Sequence, residues 1–276
     1  MKKVIIAFDG KHFSKGAFGI AEYFNEYQPI LLTGIFLSAV DYRDIIGVGA
    51  VGLGGPIFLP TLEKGDEDAI KENIEHFESL CQKNGIDYRI HKDDELFALE
   101  ELITESRFAD LLIISGESFY SNVGEKQPND YMQRVLHKSE CPVMIVPEEY
   151  KTPDNIILTY DGSDASVYAI KQFAYLFPEL CSQETTLLYA NHKEDDLPER
   201  DRMSELAARH YTNLTLQKLD MPEPRKFFHE WIEERRGNNI LVSGSFARSG
   251  LSESIKRSFI YETIANHKVP VFIAHK

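Results

Sequence analysis

No run in this sequence stays apolar for the roughly 20 residues that a bilayer-spanning helix needs, so a transmembrane segment is not expected. Cysteine is scarce as well: Cys81, Cys141 and Cys181 are the only three in 276 residues. They are odd in number and far apart, and they form neither a Cys-x-x-Cys pair nor a metal-ligand spacing. A disulfide scaffold is thereby excluded, and a reduced compartment, the cytoplasm, is expected. Basic charge falls short too. Lys and Arg total 30 against 44 Asp and Glu, a formal net charge of −14. A surface of that sign repels nucleic acid and anionic membranes, and the basic clusters in EERRGNN and ESIKRS are short, so neither partner is expected. The apolar run in MKKVIIAFDG is too brief for a secretory signal and meets an acidic residue at Asp9.

Motifs that carry chemistry are also missing. There is no Gly-x-Ser-x-Gly elbow to expose a nucleophile and no Gly-x-x-x-x-Gly-Lys-Ser or -Thr loop to cradle a triphosphate. The nine histidines include no His-x-x-x-His spacing. On these grounds no catalytic residue and no metal site are expected, and the chain does not read as an enzyme.

What is present is a repetition. VIIAFDGKHFSKGAFGIAEYF, from Val4, and IILTYDGSDASVYAIKQFAYLF, from Ile156, align at an offset of 152, pairing Asp9 with Asp161, Gly10 with Gly162, Ser14 with Ser166 and Ala17 with Ala169. Near the end of each half, RFADLLIISGESF and RRGNNILVSGSFA each precede a helical pattern and a Pro-Val strand. Gly116 to Pro142 and Gly244 to Pro270 have the same spacing of 26. The offset falls to 128 in this second match, so the first half carries about 24 additional residues. Residues 41–64, DYRDIIGVGAVGLGGPIFLPTLEK, are the candidate insert, Gly-rich and apolar, readable as a lid or as a contact with another subunit. Short apolar runs alternate with amphipathic stretches in both halves, the pattern of βαβ units around a parallel sheet.

Strand, Asp-Gly turn and helix at the start of each half, with a glycine turn and a Pro-Val strand at its end, resemble the universal stress protein family, and two copies in one chain resemble its tandem members. The resemblance implies two tandem doubly wound α/β domains, residues 1–148 and 153–276, each an adenine nucleotide alpha hydrolase-like, Rossmann-like five-stranded parallel sheet of order 3-2-1-4-5. Ligands of such sheets sit beyond the strand C-termini where the order reverses. Asp9 and Gly116 would face one crevice, and Asp161 and Gly244 the other. Nucleotide-binding members carry Gly-x-x-Gly, nine residues, then Gly-Ser or Gly-Thr. The second half supplies Gly244, Ala247, Arg257 and Ser258, with Ser249 and Gly250 between. With Asp161 and Gly162 these are the candidate binding residues for ATP or a related adenine nucleotide with Mg²⁺. The first half supplies Gly116, Phe119, Asn129 and Asp130 and, with Asp9 and Gly10, reads as a degenerate cleft.

The same residues also have a local reading. Asp9 and Asp161 suit an N-cap or Asx-turn, Ser163 and Ser166 suit capping, and Gly116 and Gly244 suit a helix packed closely on the sheet. Three functions stay open: a stress-response binding module with nucleotide in the second cleft, a protein-interaction scaffold without nucleotide, and a weak ATPase. The resemblance further implies that Val143–Val146 and Val271–Ala274 meet within the chain, leaving whole chains free to form a homodimer with the insert as a candidate contact.

Overall fold

The structure, a computed structural model, describes residues 1–9, 12–37, 64–92, 98–119, 128–189, 199–218, 228–244 apart from 229, 233 and 236, 259–266 and 269–274. Residues 41–63 of the candidate insert, and with them its reading as a lid or contact, lie outside this set. The fold is α/β with a mostly parallel sheet. The chain divides into two compact units, Met1–Glu140 and Cys141–Lys276.

In the first unit β1 (Lys2–Phe8) and β4 (Leu111–Ser115) pair in parallel, as do β1 and β2 (Ile30–Phe36), and β2 and β3 (Asp87–Lys92). Val4 to Phe8 and all of β4 are buried, as expected where a parallel sheet is covered on both faces. Helix α1 (Lys15–Tyr27) starts at Ser14, whose Oγ accepts from the Ala17 N–H at 3.0 Å, and buries Ala17, Phe18, Ile20 and Ala21. Helix α2 (Lys64–Lys83) drives the fully buried Phe77 into the sheet. Glycine at position 34 makes room for it, because a Cβ there would lie 3.0 Å from Phe77 Cζ. Around Phe77, Phe8 stacks on both Phe13 and Phe36 at 4.9 Å, and Phe77 meets Phe8, Phe18 and Phe36 edge-on. Helices α3 (Ala98–Ser106) and α4 (Asp130–Lys138) complete the unit.

The second unit contains β5 (Val143–Val146), β6 (Asn155–Tyr160), β7 (Glu184–Tyr189), β8 (Asn213–Lys218), β9 (Asn239–Ser243) and β10 (Val271–Ile273). Between them lie α5 (Asp164–Leu176), α6 (Arg200–His210) and α7 (Phe259–Asn266). Parallel ladders join β6 to β7, β7 to β8, β6 to β9 and β9 to β10. One ladder is antiparallel: Val271 faces Ile145, and Ile273 faces Val143. All four residues of β5 and all three of β10 are buried.

The strands run in the order β3-β2-β1-β4-β5-β10-β9-β6-β7-β8 and count as one hydrogen-bonded sheet, where the sequence suggested two. Within the second unit, the antiparallel β5–β10 ladder covers two apolar strands that would otherwise each leave an open edge.

Candidate functional site

The register from Val4 opposite Leu111 to Ala7 opposite Ile114 brings Asp9 and Gly116 out at the same end of β1 and β4. Asp9 is buried and bound to its own turn. Its Oδ1 accepts from the His12 N–H at 2.9 Å, and His12 Nδ1 lies 3.0 Å from Oδ2. The His12 imidazole remains about half exposed at 52%. Across the crevice, Ser115 Oγ accepts from the backbone N–H groups of Glu117 and Ser118, at 3.2 and 3.0 Å. Amides at such a turn are what an anion would use. Phe119 and Asn129, which stand at the glycine positions of the motif that the sequence resemblance implies, are both buried. Asn129 caps α4 by accepting from the Met132 N–H at 2.8 Å, and its Nδ2 donates to the Phe119 carbonyl at 3.0 Å. Asp9, Ser115 and Asn129 thus each accept from backbone N–H groups of their own turns at this end of the strands. Gly116 is buried, and Gly10 lies outside the described residues.

In the second unit Asn155 faces Asn239 and Leu158 faces Val242, so Asp161 and Gly244 emerge together. Asp161 is exposed, unlike Asp9, and accepts from the Ser163 N–H at 2.9 Å in a turn two residues long. Gly162 has φ +83, a conformation that strains any residue with a Cβ. Ser163 caps α5 by accepting from the Ser166 N–H at 3.2 Å, while Ser166 Oγ donates to the Ser163 carbonyl at 2.8 Å. Gly244 has a packing role: a Cβ on it would lie 2.0 Å from the Ala165 carbonyl oxygen and 2.5 Å from the Ser166 nitrogen. The first turn of α5 therefore rests directly on the end of β9. Ala247, Ser249, Gly250, Arg257 and Ser258 lie outside the described residues, so the structure brings together only Asp161, Gly162 and Gly244 of the candidate set.

Two features of the strand ends were not singled out in the sequence. One is the Asp9–His12 contact, whose only signal is the Asp-x-x-His spacing. An imidazole held by a carboxylate can accept a proton, but no hydroxyl or thiol is hydrogen-bonded to it among the described residues. The other is Tyr160, buried beside Tyr189 with 6.3 Å between ring centroids. Burial raises its pKa above 10, and the carboxylates of Glu199 and Asp161 add to the rise. Among the described residues no group of three or more His, Cys, Asp or Glu is placed to hold a metal ion, and no helix is long and apolar enough to cross a membrane.

Solved structures match this architecture along its whole length. A universal stress protein from Archaeoglobus fulgidus superposes with a TM-score of 0.64 at 16% identity, covering 100% of this chain and 96% of that one. The fold is that of a universal stress protein. A functionally unknown protein from Pseudomonas aeruginosa superposes with a TM-score of 0.57 at 11% identity, covering 100% of this chain and 92% of that one. No protein-family model matches the sequence, and no curated protein matches it.

Proposed function

We propose that the chain is a tandem universal stress protein, a cytoplasmic stress-response module that works by binding rather than by catalysis. Its first crevice is closed to nucleotide, and its second holds ATP or a related adenine nucleotide with Mg²⁺. The duplication reading draws on strand order: β3-β2-β1-β4-β5 and β8-β7-β6-β9-β10 are the same 3-2-1-4-5 arrangement written in each half. What supports the functional reading is that Phe119 and Asn129 are buried and Asn129 is spent on a helix cap. The second turn keeps an exposed carboxylate, Asp161, and a left-handed glycine, Gly162, at the open end of the strand. An interaction scaffold without nucleotide is the competing reading, favoured by the same closed crevice.

Differential scanning calorimetry separates the two. A ligand that binds the native state alone stabilises it by about 2.7 kcal/mol at a hundred times its Kd. ATP with Mg²⁺ is expected to raise Tm in the native chain, and Arg257→Glu to remove the shift. No shift at millimolar ATP favours the scaffold. Gly244→Ala is unsuitable for this test because it disturbs the α5–β9 contact with or without ligand.

A further inference from the structure

We infer that Asn84–Gly85, the turn that ends α2, is a self-modification site, where the asparagine loses ammonia through a cyclic imide and becomes aspartate or isoaspartate at a rate set by opening of the helix end. Asn84 is the one asparagine in the sequence that glycine follows. A residue without a Cβ leaves its own backbone nitrogen least shielded from the side chain before it. Gly85 is exposed at φ +63, with nothing within 4 Å of where a Cβ would stand, so water has access to the turn. The Asn84 carboxamide has no hydrogen-bond partner among the described residues, and Asn84 is only half-buried.

The chemistry needs water and hydroxide alone. The Gly85 nitrogen gives its proton to hydroxide and attacks Asn84 Cγ. An N–Cγ bond forms, the Cγ–Nδ2 bond breaks, and Nδ2 leaves as ammonia after taking a proton from water. Water then opens the five-membered imide at either carbonyl. Cleavage at Cγ returns an ordinary backbone with aspartate. Cleavage at the main-chain carbonyl leaves isoaspartate, with the backbone routed through Cγ and longer by one methylene.

The fold restrains this step at a single place. Asn84 N–H donates to the Leu80 carbonyl at 3.0 Å and Ile86 N–H to the Cys81 carbonyl at 2.9 Å, while Gly85 N–H reaches the Gln82 carbonyl at only 3.4 Å. The last two bonds form the helix cap that a left-handed glycine permits. The attacking nitrogen is thus the most weakly held of the three, beyond the usual range for such a bond. Ring closure takes Asn84 out of helical backbone, so the cap must open first, and helix ends open before the core does. Cys81 and Ile86 are both buried, so an added methylene between α2 and β3 displaces a packed turn. Either product also sets a carboxylate at the negative end of the α2 dipole, in a chain already at −14.

Ageing the full-length protein in mildly alkaline buffer, followed by peptide mass spectrometry and an ammonia assay, tests this. Asn84 should convert before every other asparagine, and isoaspartate, which direct hydrolysis of the side chain cannot form, should be among the products. The urea-unfolded chain should react faster than the folded one. Ile86→Ala keeps the Asn-Gly pair but removes the buried anchor of the cap. It should speed conversion in the folded chain about tenfold or more, the effect of about 1.4 kcal/mol lost from the cap. Thermal melts report whether this variant is folded, and the comparison of folded with urea-unfolded native chain tests the restraint without it. Asn84→Asp carries the charge without the methylene, so it should melt between the native chain and the isoaspartate fraction separated by ion exchange. Asn84 intact while other asparagines react, aspartate without isoaspartate, a rate unmoved by folding or by Ile86→Ala, or an isoaspartate fraction that melts like the native chain would overturn the inference.

Discussion

At Gly244 the missing Cβ is the functional group. A methyl there would occupy the space of the Ala165 carbonyl, a backbone atom that cannot rotate aside. Gly244→Ala is expected to destabilise the protein by about 2–3 kcal/mol, the range of overpacking in a fitted interior, measured by urea denaturation. Electrostatics at the same strand ends is read at Tyr160. Glu199 adds to the rise in its pKa, so Glu199→Gln should move its titration down toward 10 in a spectrophotometric titration. Glu199 also has φ 47, a left-handed conformation costly for a residue with a side chain. At His137 two influences oppose. Its place in the last turn of α4 favours the cation, but burial lowers its pKa below 6.5, so desolvation is the larger. A lowered folded pKa means that the unfolded chain takes up the proton first. Its contribution is therefore present above about pH 6.5 and lost as pH falls from there through the lower folded value. His137→Gln should flatten this part of a Tm-against-pH curve. Cys81 and Cys181, with thiols pushed up to about 12 by burial, should resist a thiol reagent at neutral pH until the chain is denatured.

Among the elements, α1 and α5 show where a repeat stops being readable residue by residue. Aligned at an offset of 152, Ala17 pairs with Ala169 and Phe18 with Ile170, and all four are buried on their helices. The same alignment pairs the cap Ser14 with Ser166, yet the cap of α5 is Ser163. The second helix begins one turn earlier because its turn from Asp161 is shorter than the turn from Asp9 to Ser14. The longer turn is what allows His12 to fold back on Asp9, while the shorter one leaves Asp161 exposed. Core register follows from hydrophobic spacing, which the sequence displays; loop path depends on competition among several adjacent hydrogen-bonding residues, which it does not. Ser163→Ala should accordingly cost about 1 kcal/mol in chemical denaturation and Ser166→Ala less, the reverse of what alignment with Ser14 suggests. The central strands are legible for a simple reason. VIIAF, LLIIS and NILVS are apolar almost throughout because both faces of a parallel sheet are covered. The ring cluster around Phe77 was not legible, since its members come from β1, β2, α1 and α2 and only the fold brings them to Gly34.

For the whole molecule, the α/β fold with its mostly parallel sheet is that of solved universal stress proteins, and the one antiparallel ladder, β5 with β10, lies within the second unit. The ends of the central strands differ between the two units: Phe119 is buried and Asn129 caps a helix in the first, and Asp161 is exposed after β6 in the second. Equilibrium dialysis with labelled ATP and Mg²⁺ measures the outcome directly as moles bound per chain. One nucleotide per chain is expected, unchanged by His12→Ala and lost in Arg257→Glu. Two nucleotides per chain, none, or binding lost through the first-half substitution would contradict the account.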